Sequence, residues 1–189
     1  TGPRIDTVST DDAAGSAAAV RHLADLGHRR ITHLSGGDNP VSRDRERGYR
    51  EAMADLGLAD EIRVVPGSLT DAGGYAAATH ALAGSRPPTG LVVANDIAAL
   101  GAIAAVQDAG LSVPQDVSVV GYDGIALGAL RTLSLTTVAQ PLELMGQLAA
   151  ARLFERLERP GERARHISVE APLAVRRTTA PPPVDRFSR

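Results

Sequence analysis

The sequence predicts an α/β fold, a parallel doubly wound sheet with helices on both faces. Four short apolar runs, at residues 31–34, 62–65, 91–94 and 117–120, recur at roughly 26–31 residues, the size of a strand plus a crossover helix. The segments between them have helical character. Each run is followed at once by small or polar residues, at 35–39, 66–69, 95–96 and 121–123. Right-handed crossovers make such strands parallel, so all four polar ends emerge along one edge of the sheet. Ligands of open α/β sheets bind outside that edge. A small-molecule crevice is therefore expected there.

The first element is a strand at 5–9, closed by Thr10-Asp11-Asp12. A carboxylate at Asp11 or Asp12 would accept the free N–H groups of a helix running to about residue 26, with Ala17, Val20, Leu23 and Ala24 as its buried stripe. Gly27 stops that helix, and His28-Arg29-Arg30 leads into the 31–34 strand. The next helix spans 43–56 and stops at Gly57; a third spans 72–83. Pro87-Pro88 breaks the chain before the 91–94 strand. Asp96 stands where an N-cap belongs, opening a helix to 109 that ends at Gly110. After Asp123 the rhythm changes. Residues 135–139 are strand-like, and Pro141 suits the first turn of a helix to 159. Leu142, Met145, Ala149 and Leu153 form one apolar stripe on it, with Leu144, Leu148 and Phe154 alongside, so this helix is expected to be buried between layers. Strands at 167–169 and 173–175 precede a tail, 179–189, rich in proline and expected to be disordered.

Composition narrows the function. Apolar residues make up 43% of the chain but aromatics only 3%, so the core must be Ala, Leu, Val and Ile. The net charge of −2 leaves no electrostatic footprint for nucleic acid in this segment. Without cysteine there is no disulfide and no thiolate chemistry. His22 and His28 are six apart and the other three histidines stand alone, so no helical metal site is expected. There is no signal peptide and no apolar run of membrane-spanning length, and a soluble cytoplasmic protein without membrane contact is the expectation.

Several short motifs point further. Asp11 through Gly15, His22-Leu23, Leu26-Gly27-His28-Arg29-Arg30-Ile31, and Arg45-Glu46-Arg47-Gly48-Tyr49 come first. Pro87-Pro88-Thr89, Ala94-Asn95-Asp96, Ala99-Leu100-Gly101-Ala102 and the run from Val113 to Asp123 follow. Leu135-Thr136-Thr137-Val138, Gln140-Pro141, Met145-Gly146 and Arg177-Thr178-Thr179-Ala180-Pro181 complete the set. In this order, over about residues 5–183, they resemble the effector domain of the LacI/GalR family of transcriptional regulators. The resemblance implies a Rossmann-like fold of the periplasmic binding protein-like I type, with two subdomains and the effector held between them. It implies that residues 10–125 and 161–178 form an essentially complete C-terminal subdomain. Residues 1–9 and 130–160 would be a remnant of the N-terminal one. Operator DNA would be bound only through an N-terminal head that this chain lacks, and a homodimer is implied.

By motif match, three residues would hold the effector: Arg45 as bidentate donor, Asn95 as mixed donor and acceptor, and Asp123 as acceptor. Each also has a structural reading: a salt-bridged arginine, a residue turning the chain, a capping or bridging acid. Leu69 stands where relatives often present an aromatic, which weakens a purine or a stacked sugar. Gly124 replaces a second aspartate common in that turn. Asp11 faces either the ligand or its own helix, and Asp38 and Asn39 either reach the pocket or solvate a loop. Tyr122 is read as packing. The effector expected is a sugar or sugar phosphate, with a nucleoside second. A periplasmic-type sugar-binding protein for transport would share fold and pocket, but the G-H-R-R-I segment and the 113–123 run favour the regulator. No G-x-S-x-G elbow, phosphate loop or G-x-G-x-x-G is present, so neither an enzyme nor a cofactor is expected. Arg45→Ala is expected to abolish effector binding with the fold intact.

Overall fold

The computed structural model describes residues 5–183. A six-stranded sheet has the order β3-β2-β4-β5-β6-β8, with β2 (Ile31–Leu34), β3 (Arg63–Val65), β4 (Gly90–Val93), β5 (Ser118–Asp123), β6 (Thr136–Ala139) and β8 (Leu173–Ala174). Every pairing is parallel except that of β6 with β8. The four apolar runs are thus the four parallel strands expected, and β2 and β4 are buried along their whole length, as strands covered on both faces must be.

Helices α1 (Asp12–Asp25) and α2 (Pro40–Asp55) cover one face, where Val20, Leu23, Tyr49 and Met53 pack on Ile31, Val92 and Val120. Helices α3 (Asp71–Leu82) and α4 (Asp96–Asp108) cover the other, closing Ala78, Ala81, Ala102 and Val106 over Leu34, Leu91, Val93 and Val119. A core this poor in aromatics closes because the helices approach very near. A Cβ at Gly48 of α2 would lie 2.0 Å from the Ala13 carbonyl oxygen of α1, and one at Gly74 of α3 would lie 1.9 Å from that of Ala98 in α4. Gly74→Ala is therefore expected to push α3 and α4 apart and cost about 1–3 kcal/mol in urea unfolding, the usual penalty for overpacking. A loss below half a kcal/mol would show that the helices can separate freely.

Chain order makes β2 and β4 neighbours while β3 lies on the far side of β2. The connections leave the β2–β4 boundary in opposite directions, and it is at the carboxyl ends of the strands flanking such a boundary that open α/β sheets form their ligand crevice. The helix N-termini come to the same edge.

Several elements differ from the sequence reading. Helix α2 begins at Pro40, not 43, because Asn39 caps it by accepting the Ser42 N–H at 2.9 Å. Asn95, not Asp96, is the N-cap of α4, accepting the Ala98 N–H at 2.8 Å. Strand β6 lies within 130–160, the range assigned by resemblance to the smaller subdomain, yet it is hydrogen-bonded into the six-stranded sheet beside β5. Conversely β7 (His166–Val169), assigned to the larger unit, pairs with β1 (Thr7–Thr10) in a separate two-stranded sheet.

Helix α5 (Leu142–Glu158) is not buried between layers. Leu142, Leu153, Phe154 and Leu157 are exposed, and its anchor is polar: Arg152 and Arg156 both donate to Asp6 beside β1. The backbone N–H of Arg165 reinforces them and, with the two arginines, holds the Asp6 carboxyl well below the usual carboxylate range. The part of the expected tail that is described, 179–183, is tied down. Ala180 exchanges hydrogen bonds with Ser118 Oγ and accepts one from the buried His28 ring, which also meets Thr89 Oγ1. Residues 1–4 and 184–189 lie outside the described structure.

Candidate functional site

Arg45 organises the crevice. It stands on the second turn of α2, and its side chain runs inward to the sheet edge, where it is 4% exposed. Nε donates to Asp12 at 2.9 Å, Nη1 to the Ala94 carbonyl at the end of β4, and Nη2 to Asp123 at 3.1 Å at the end of β5. Beneath it lies the Tyr122 ring, 3.6 Å from the guanidinium carbon to the centroid. A cation over an aromatic face is attracted by the ring quadrupole, so Tyr122 is both packing and electrostatic support. One side chain thereby ties α1, α2, β4 and β5 together at the sheet edge.

Asp123 is held in an uncommon backbone conformation, with φ +111. Such geometry costs on the order of 1–3 kcal/mol and persists only where surroundings impose it. They do so here: Gln140, just past β6, donates its backbone N–H to the Asp123 carbonyl at 3.1 Å and its side-chain amide Nε2 to the Asp123 carboxylate at 2.8 Å. Gly124 follows with φ +73, and a Cβ there would fall 2.8 Å from Ala139. This tight turn excludes the second aspartate whose absence the sequence showed.

Asp96 builds the turn from below. It is fully buried; Oδ1 accepts from Thr137 Oγ1 at 2.6 Å and Oδ2 from the Ile125 N–H at 2.8 Å. Burial raises its pKa, and the nearby Asp123 adds to this, against the lowering by the hydrogen bonds from Thr137 and Ile125. Asp96→Ala strands the buried Thr137 hydroxyl and the half-buried Ile125 N–H, and is expected to cost about 1–3 kcal/mol for each group left unpaired and dry. Urea unfolding reads that loss; a wild-type midpoint would mean the turn holds itself.

Of the residues expected from sequence, Arg45 and Asp123 are joined directly. Asn95 lies one residue beyond the Ala94 carbonyl, its oxygen spent on capping α4 and its Nδ2 donating to the Leu69 carbonyl at 3.0 Å. Leu69 is at the same edge, with 37% of its surface exposed. Asp11 stands apart from the network: its side chain caps α1 through the Ala14 N–H at 2.9 Å. Asp38 pairs with Arg43 in solvent, and Asn39 caps α2. Sequence reasoning missed Asp12 as a partner of Arg45, along with Gln140 and the role of Asp96. For Gln140 the available signal was its place directly after the strand-like run 135–139, at the strand's carboxyl end.

Residues 20–179 match the family described as a periplasmic binding protein-like domain. The chain is 35% identical over 189 residues to an HTH-type transcriptional repressor PurR from Edwardsiella ictaluri, covering 97% of this chain and 54% of that protein. It thus spans about half the length of the curated relatives it matches. Among solved structures, a LacI transcriptional regulator from a Rhodococcus species superposes with a TM-score of 0.88 at 35% identity, covering 91% of this chain and 63% of that one. A LacI family transcriptional regulator from Enterococcus faecium, with bound ribose, gives 0.86 at 30% identity, covering 96% and 67%. The shared fold, the order of the motifs and these relatives lead to one assignment: the chain belongs to the periplasmic-binding-protein-like domains of the LacI family of transcriptional regulators.

Proposed function

We propose that this chain is the effector-sensing part of a DNA-binding transcriptional regulator, and that it holds a small molecule, a sugar before a nucleoside, at the carboxyl ends of β2, β4 and β5. The observation that carries this reading is the buried Arg45, fixed by Asp12 at the start of α1 and by Ala94 and Asp123 at the strand ends, with N–H donors to spare beside the Asp123 carboxylate. Such a donor–acceptor pair suits a hydroxyl, which both accepts and donates, and charge-assisted bonds fix orientation better than neutral ones. Ribose in the Enterococcus faecium relative supports the sugar class. Asn95 and Leu69 complete this rim of the site, while Asp11 serves its helix.

DNA would be bound by segments outside this chain, and effector closure would reach them with a coupling on the order of 1–3 kcal/mol. The exposed apolar side of α5 would be covered by those segments too. A homodimer is part of the proposal: Ile97 on α4, Leu127 in the 126–129 turn and Leu130 just after it are exposed apolar side chains, and α4 and the turn meet at Asp96. Among the described residues no helix is long and apolar enough to cross a membrane. A regulator of transcription acts in the cytoplasm, which is the proposed location.

Calorimetry of the chain against monosaccharides, disaccharides and nucleosides tests the reading. A sugar that binds the wild type and is lost in Asp123→Ala supports it; tight binding that survives Asp123→Ala and Asn95→Ala would move the site elsewhere.

A further inference from the structure

We propose that the Arg45 end of the crevice is a charge filter: it admits an uncharged polyol with adjacent hydroxyls and excludes phosphate and carboxylate groups, and Asp12 sets this selectivity. The location of the site rests on the functional reading above; its charge does not.

The edge of a parallel α/β sheet ordinarily favours anions, because helix N-termini carry partial positive charge and unpaired N–H groups. Here that potential is largely spent on the chain's own carboxylates. Asp12 occupies the first turn of α1, Asp71 that of α3 and Asp96 that of α4; α2 alone has no acid there. Asp11 and Asn95 already cap α1 and α4. A buried arginine facing no carboxylate would bind an anion, but Arg45 faces two, Asp12 at 2.9 Å and Asp123 at 3.1 Å. One positive charge against two negative ones leaves the cluster with a net negative charge.

Hydrogen-bond capacity points the same way. Three of the five guanidinium N–H groups of Arg45 are used, on Asp12, Ala94 and Asp123. Gln140 and Arg45 both donate to Oδ1 of Asp123, which leaves Oδ2 free to accept. A ligand here must accept from Arg45 and donate to Asp123. Adjacent hydroxyls do both. A carboxylate or a fully ionised phosphate monoester can only accept; inorganic phosphate keeps a hydroxyl that could donate, but each of them would set its negative charge against Asp123 and Asp12. Leu69 offers an aliphatic rim in place of a stacking ring, which suits a polyol better than a base.

The test is titration of the 189-residue chain with inorganic phosphate at fixed ionic strength, followed by the Arg45 Nε resonance. D-ribose and D-ribose 5-phosphate are run in parallel. Wild type should show no phosphate-dependent shift. Asp12→Asn keeps the shape of the side chain and one acceptor oxygen for Arg45 Nε but removes one charge, and should bind phosphate at Arg45 at least about tenfold more tightly, as loss of a close like-charge repulsion predicts. Asp123→Asn should do the same, so that the proposal stays testable if one variant folds poorly. Phosphate binding at Arg45 of the wild type with the affinity of the variants would overturn the filter, as would failure of both folded variants to gain it. Ribose 5-phosphate bound through Arg45 more tightly than ribose would overturn it too. Should neither sugar bind while phosphate is excluded by wild type and admitted by the variants, the filter stands and the sugar reading falls.

Discussion

Arg45→Ala is expected to lower unfolding free energy by about 3 kcal/mol, the lower end of the range for removing one partner of a buried ion pair. The lower end applies because Asp123 keeps 31% of its side chain exposed, whereas Asp12 keeps only 13%. The substitution leaves Asp12 with no countercharge, frees the Ala94 carbonyl and removes the cation from above Tyr122. This revises the sequence-based expectation of an intact fold: an arginine bridging α1, α2, β4 and β5 is an element of the core as well as of the proposed site. Combining Arg45→Met with Asp12→Asn should cost less than the sum of the two single losses by about 1 kcal/mol or more, since contacting residues are non-additive. Urea unfolding of the four proteins closes the cycle. An Arg45→Ala protein within half a kcal/mol of wild type would mean that water already screens the cluster, and the preformed anchor would be lost with it.

The fold was largely legible because its signals are local. The strands of a sheet covered on both sides are short apolar runs, and the helices between them end at Gly27, Gly57 and Gly110, each found with the positive φ that favours glycine. Arg45 and Asp123 were singled out through resemblance, at residues where composition alone shows only an arginine and an aspartate, and the structure joins them. What escaped was set by tertiary contact. Asp11 and Asp12 are adjacent acids before one helix, and which of them caps depends on where Arg45 lies, a residue 33 positions on. Asn95 and Asp96 are equally plausible caps until β6 brings Thr137 to Asp96. The start of α2 was readable, since Asn39-Pro40 is a good cap followed by a good first residue, but Asn39 was weighed as a pocket residue instead. The apolar stripes of α5 gave a correct amphipathic pattern and a wrong burial, because a stripe announces a partner without guaranteeing that the partner is in the same chain.

His33 offers the second large effect, and it lies in the scaffold under the site. Its ring is fully buried on β2, stacked 5.4 Å from Tyr49, with Nδ1 donating to the Val92 carbonyl at 3.0 Å and Nε2 without a partner. Burial is the main reason its pKa falls to about 4 from 6.5; the Glu46 charge and the Val92 carbonyl oppose this, while Arg50 and Arg45 add to it. The unfolded chain therefore takes up this proton first as acidity rises. Stability from the neutral ring is fully present above about pH 6.5 and is lost as the pH falls toward 4. Two and a half pH units at 1.36 kcal/mol each make the loss about 3 kcal/mol, a large share of a domain's stability. Carboxylates titrate over part of the same range, so the diagnostic quantity is the difference between wild type and His33→Leu. Leucine is apolar and cannot titrate; its loss of the ring stack and the Val92 bond is constant with pH. The variant should be less stable at neutral pH and should close most of that gap by pH 4. Parallel unfolding curves for the two proteins from pH 7 to 4 would show that the ring finds a proton acceptor in the folded state, and the buried neutral histidine would have to be abandoned.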